Sequence, residues 1–133
     1  MASIRDVLNN LARDYAIAWS SGDAAAVAAY FAADCQMVIN GGEPLEGRDA
    51  IASMAQDLFA EIPDLDLRCD MLRWAGPRAL FVWTLEGKHT ETANAVVTRG
   101  WEEWELDPSH KIRSSSWWFD LAEYQKQVGR DGT

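Results

Sequence analysis

The sequence holds only two cysteines in 133 residues, Cys35 and Cys69. Two are too few for the disulfide framework of a small secreted domain. Both sit in apolar, strand-like segments, so the expectation is two buried thiols in the reducing cytoplasm, with nothing demanding a disulfide. No His, Cys, Asp or Glu cluster has the spacing of metal ligands, so no metal is expected. Gly41-Gly42 and Gly47 follow none of the phosphate-cradling patterns, and no cofactor is expected. Basic residues are scarce: 12 Lys and Arg against 21 Asp and Glu give a net charge of −9 and a pI near 4.5. That balance argues against nucleic acid or an anionic membrane as partner. No apolar run approaches the ~20 residues of a membrane helix. The opening Met1-Ala2-Ser3-Ile4 turns straight into an amphipathic pattern without basic or apolar leader regions, so no signal peptide is expected.

What remains is a chain that is 48% hydrophobic with seven tryptophans. The composition is that of one globular domain over residues 1–133. Ile4, Val7, Leu8, Leu11, Tyr15 and Trp19 recur at helical spacing. Ser20-Ser21-Gly22-Asp23 ends that helix and starts a second one through Ala24–Phe31. Asp34–Asn40 reads as a strand, and residues 47–60 as a third helix that Pro63 prevents from continuing. The period then changes from 3.6 to 2. Leu65, Leu67, Cys69 and Met71 alternate with charged residues, and strands follow at 80–86, 95–106 (with a bulge expected at Gly100) and 111–121. A short helical turn is expected after Ala122, and the last residues are expected to fray. Helices first and strands after imply an α+β fold. It is a cone in which three N-terminal helices pack on a curved, mostly antiparallel sheet. Such a cone has an apolar mouth suited to a small molecule.

Several segments, in this order and spacing, carry a resemblance. They are Tyr15-Ala16-Ile17-Ala18-Trp19-Ser20-Ser21-Gly22-Asp23, Tyr30-Phe31-Ala32-Ala33-Asp34, Gly47-Arg48-Asp49-Ala50-Ile51, Ile62-Pro63-Asp64-Leu65, Gly87-Lys88-His89-Thr90, and Lys111-Ile112 through Trp118-Phe119-Asp120 to Gln127-Val128-Gly129. Together they resemble the superfamily of nuclear transport factor two and ketosteroid isomerase, and within it the SnoaL-like polyketide cyclases. The resemblance implies the cone fold but no single reaction, because the fold hosts isomerases, cyclases, hydrolases, dehydratases and non-catalytic domains.

The resemblance also suggests catalytic candidates. Asp120 matches the aspartate that serves SnoaL-like cyclases as acid/base; the plainer reading is a cap or ion pair at the strand end. The ketosteroid isomerase pattern would turn Trp117 and Phe119 into the pocket, and by strand parity Asp120 then points inward only if the strand ends or bulges there. Tyr15 matches the tyrosine that donates to the substrate oxygen in ketosteroid isomerase, or is simply core. That enzyme's aspartate base falls at Ile39, beside neutral Asn40, which speaks against its usual reaction. Its oxyanion-stabilising acid falls near Glu102, which an apolar cavity would keep neutral, unless Glu102 belongs to a solvated strand face. His89 is a fourth candidate, as base or hydrogen-bond donor, or else an exposed loop histidine.

The expected pocket residues are Trp19, Phe31, Phe59, Trp83, Trp104, Trp117 and Phe119. In Trp117-Trp118 one ring must face the interior and the other the outside. Outward tryptophans and the family's habit of dimerising through its sheet predict a homodimer. Two functions follow. One is a cofactor-free isomerase or cyclase that moves protons on a hydrophobic carbonyl compound, with Asp120 as acid/base and Tyr15 or Glu102 steadying the enolate. The other is a non-catalytic ligand-binding or accessory domain of the same fold. The missing carboxylate at Ile39 favours the second, and Asp120 the first.

Overall fold

The computed structural model describes residues 2–129. The expected fraying at 130–133 lies outside them. The chain runs α1 (Ile4–Ser20), α2 (Ala24–Ala28), β1 (Phe31–Ile39), β2 (Leu45–Glu46), α3 (Arg48–Glu61), β3 (Asp66–Ala75), β4 (Arg78–Lys88), β5 (Ala95–Leu106), β6 (Ile112–Phe119) and α4 (Leu121–Val128). The six strands form one curved, unclosed sheet in the order β2-β1-β6-β5-β4-β3. The β1–β6 pair is parallel and the rest are antiparallel.

Local chemistry sets the helix ends. Ser3 caps α1 by accepting from the Asp6 amide, and Asp23 caps α2 by accepting from the Ala26 amide, each satisfying an otherwise unpaired N–H. Between them, Gly22 takes φ 71°, a conformation that glycine adopts without strain. The Ser20 hydroxyl accepts from the Leu67 amide at 2.9 Å and donates to the Leu67 carbonyl at 3.1 Å. This pins the end of α1 to β3. The second helix stops at Ala28, short of the expected Phe31, because Phe31 is drawn into β1 and pairs with Ile112 of β6.

Two parity expectations change. On β3 the register shifts between Cys69 and Met71. A bulge of this kind reverses which residues face inward. Leu67 and Leu72 are therefore buried, whereas Met71 is 40% exposed and Cys69 only half-buried. Both cysteines are free thiols. On β5 the ladder to β4 passes through Gly100 without a shift, so the expected bulge is absent. Gly100 answers a different need. A Cβ there would sit 2.2 Å from the Trp118 carbonyl and 2.7 Å from Cζ2 of Trp83. The glycine lets the Trp83 ring lie against the strand.

The core lies between α1, α3 and the concave sheet face. Val96, Thr98, Glu102, Trp104 and Leu106 of β5 are buried, as are Phe81, Trp83 and Leu85 of β4. Burying a side chain of the size of Phe81 stabilises the fold by roughly 1.5–3 kcal/mol. Trp117 is buried while Trp118 is 37% exposed. On the outer face Trp118 pairs with Trp101, which is 44% exposed.

Candidate functional site

A cavity of about 290 Å³ opens between α3, the end of α1 and the concave sheet. Small-molecule pockets usually run from roughly 300 to 1,000 Å³, so this one lies at the lower edge of that range. Trp19 of α1, Trp83 of β4, and Trp117 and Phe119 of β6 give it aromatic walls. Helix α3 contributes Met54, Asp57, Leu58 and Glu61, and α4 contributes Tyr124. Four expected pocket residues are thus brought together. The other three are not. Phe31 and Trp104 pack around Tyr15 with ring centroids 6.1 and 5.2 Å away. Phe59 lies against Trp19 at 5.8 Å.

A tight side-chain cluster stands at the α3–α4 edge of this cavity. Oε1 of Glu61 accepts from the Tyr124 hydroxyl at 2.6 Å and meets Nε2 of His89 at 3.3 Å. The Glu91 amide donates to Nδ1 of His89 at 3.2 Å. That bond leaves the proton of the neutral ring on Nε2, aimed at Glu61. His89 is therefore not an exposed loop histidine but is 1% exposed. Glu61, Asp57 and Tyr124 are not among the residues that the sequence singles out. Asp57 and Glu61 are one helical turn apart beside the apolar stripe of α3, a spacing visible in sequence. Tyr124 had no local signal, because only the packing of α4 brings it to Glu61.

Asp120 stands elsewhere. It is the N-cap of α4, where Oδ1 accepts from the Glu123 amide at 3.0 Å. Its side chain is exposed and does not line the cavity. Strand β6 ends at Phe119, so the parity question is settled by a turn into helix. Capping α4 makes Asp120 a contributor to the placement of Tyr124. The Gln127 side chain ties the same helix to Val97 of β5 through bonds of 2.8 and 2.9 Å.

Tyr15 and Glu102 do meet. The Tyr15 hydroxyl donates to Oε2 of Glu102 at 3.0 Å, and the Ser115 hydroxyl donates to the same oxygen at 2.5 Å. Glu102 is fully buried, not on a solvated face. Burial pushes its carboxyl up to about 7, against the pull of the Ser115 bond and of the nearby Trp104, Tyr15 and Trp117 donors. The indole N–H groups of Trp104 and Trp117 approach without completing hydrogen-bond geometry, and Oε1 of Glu102 has no hydrogen-bond partner. Burial, and then the Glu102 charge, raise Tyr15 well above the usual phenol value. Neither residue lines the cavity. Trp117 borders both, being the cross-strand partner of Glu102 and part of the cavity wall.

Comparison with known proteins gives the same fold. The model of the SnoaL-like domain matches residues 12–114. No curated protein matches the chain. Among solved structures, a hypothetical protein with a ketosteroid isomerase-like fold from Catenulispora acidiphila, in complex with trimethylamine, superposes with a TM-score of 0.83 at 20% identity over 92% of this chain and 96% of its own. TsrD from Streptomyces laurentii gives 0.84 at 15% identity over 97% and 99%. A candidate polyketide cyclase from Xanthomonas campestris gives 0.80 at 22% identity over 96% and 100%. These likenesses are in fold. With the family model spanning most of its length, the chain belongs to the SnoaL-like domain family.

Proposed function

We propose that the chain binds a compact hydrophobic small molecule in the aromatic cavity between α3 and the sheet. The observation that carries this reading is the cavity itself, about 290 Å³ with Trp19, Trp83, Trp117 and Phe119 in its walls. Apolar walls with a few placed polar groups are what a small-molecule site requires. The trimethylamine bound by the Catenulispora relative is a ligand of that compact kind. Titration with a small neutral ketone such as cyclohexanone, followed by tryptophan fluorescence, tests the reading. A saturable change is expected, and Leu58→Trp, which fills the cavity, abolishes it. An unchanged spectrum at saturating ligand overturns it.

Glu61 favours a second reading, in which the bound molecule reacts. Its carboxylate lines the cavity and is held by Tyr124 and His89, as a general base is held by its orienting partners. The step is proton transfer next to a carbonyl. The C–H bond breaks, an O–H bond forms on Glu61, and the electron pair moves to the carbonyl oxygen. Deuterium incorporation into a bound ketone in heavy water, lost in Glu61→Gln, is the expected outcome. Binding without exchange leaves a non-catalytic binding protein.

We further propose that the outer sheet face forms a homodimer. Trp101 and Trp118 pair there with their rings partly exposed, an arrangement that favours burial against a second sheet. Sedimentation at micromolar concentration is expected to give a dimer that Trp101→Lys dissociates. A monomeric wild type overturns the proposal.

A further inference from the structure

We propose that the cavity selects an organic cation, a compact alkylammonium ion whose methyl groups sit among the aromatic rings while Asp57 and Glu61 balance its charge. The inference rests on the small-molecule reading of the same cavity and adds the charge of its ligand.

Five aromatic side chains line the space and follow one another in contact. Trp19 lies 5.5 Å from Trp117, Trp117 lies 5.2 Å from Trp83, Trp83 lies 6.2 Å from Phe119, and Phe119 lies 6.3 Å from Tyr124. The planes turn by 73°, 51°, 59° and 80° from one ring to the next. The first and last of these contacts are edge to face and the middle two are tilted, so no neighbours in the run stack. An aromatic wall attracts a cation wherever a ring face meets it, tryptophan most strongly.

The charged groups in the wall agree in sign. Among the described residues lining the cavity, those with formal charge at neutral pH are Asp57 and Glu61, both on α3, and no Lys or Arg joins them. An anionic ligand would meet two carboxylates and no counter-charge. A neutral ligand would gain no binding from their charge. The chain's net charge of −9 also draws cations toward the protein.

The wall chemistry narrows the class of cation. Inorganic cations such as Ca²⁺ and Mg²⁺ need a shell of oxygen ligands, which tryptophan walls do not supply. A tertiary or quaternary alkylammonium spreads its charge over methyl groups, sheds water readily and needs few hydrogen-bond acceptors. It suits a space that is mostly apolar, with five aromatic side chains and two carboxylates in its wall.

The test uses choline and its neutral carbon analogue, 3,3-dimethylbutan-1-ol, which share a shape and differ in charge. Each is titrated into the full chain by calorimetry and tryptophan fluorescence. Choline is expected to bind at least about tenfold more tightly than the alcohol. Asp57→Asn and Glu61→Gln are each expected to weaken choline several-fold more than they weaken the alcohol. Asp57→Asn guards against the chance that Glu61→Gln disturbs the His89 and Tyr124 contacts. If the alcohol binds as tightly as choline, the cation inference fails and the small-molecule reading stands. If neither binds, the cation inference fails, and the cyclohexanone titration alone decides the small-molecule reading.

Discussion

The hydroxyl of Tyr15 donates to Oε2 of Glu102 across 3.0 Å, joining residues 87 positions apart in the chain. The contact lies wholly within the core, and Ser115 supplies the second donor to the same oxygen. A carboxyl in that setting is a pH-dependent element of stability, because ionising it places a charge where water cannot reach.

The direction of this dependence follows from Glu102 being raised from 4.5 to about 7 in the fold. The native state prefers the protonated form. Its stabilising contribution is fully present below the unfolded pKa near 4.5 and is lost as pH rises through about 7. Wild type is expected to lose about 2–3 kcal/mol relative to Glu102→Gln between pH 5 and pH 8. Urea unfolding of both proteins at the two pH values measures it. A difference that does not change with pH contradicts the assignment.

Tyr15→Phe removes a donor that favours the ionised form of Glu102. The Glu102 titration should therefore move upward from about 7. The substitution should cost about 1–2 kcal/mol above pH 8, where the carboxylate needs its donors most, and less at pH 5. Carboxyl carbon shifts in a selectively labelled sample follow the titration directly. A downward movement would contradict the hydrogen-bond direction.

For Asp120, the cap and acid/base roles separate by substitution. Asp120→Ala removes the bond to the Glu123 amide and should cost about 1 kcal/mol. Asp120→Ser keeps a capping oxygen but carries no acid, and should be close to wild type in stability and in ligand binding. Thermal unfolding and the cyclohexanone titration check both. Loss of function in Asp120→Ser with the fold intact would restore the acid/base role.

Gly100→Ala puts a methyl group 2.2 Å from the Trp118 carbonyl and 2.7 Å from Trp83. Strand and indole cannot both stay in place. The expected loss is about 3 kcal/mol, at the upper end of overpacking costs. The Trp83 fluorescence environment should change with it. A variant as stable as wild type would mean that the strand moves freely, against its unbroken ladder with β4.

Much of the fold is legible in local pattern, because a single period decides each element. The 3.6 spacing of Leu8, Leu11, Tyr15 and Trp19 marks α1. Asp23 and Pro63 bound helices through hydrogen-bond chemistry that acts within a few residues. The β3 bulge at Asp70 and the unbroken strand at Gly100 are different. Each depends on what the neighbouring strand and ring require, and alternation alone assumes that no residue slips. The cavity walls were half legible. Trp19 follows from the helical stripe and Trp83 from strand alternation, whereas parity alone left open whether Trp117 or Trp118 turns inward; Phe31 and Trp104 pack deeper, around Tyr15.

Composition and period alone settle the class: an acidic, tryptophan-rich α+β chain with its apolar faces turned to one core. Those properties are sums or short repeats, readable without knowing who meets whom. The partners of the polar groups are another matter. That Tyr15 finds Glu102, that Glu61 gathers Tyr124 and His89, and that Asp120 serves a helix end and not the cavity were decided by the tertiary structure. A hydrogen bond forms over about 3 Å, and only the packing of helices on the curved sheet brings residues distant in sequence within that reach.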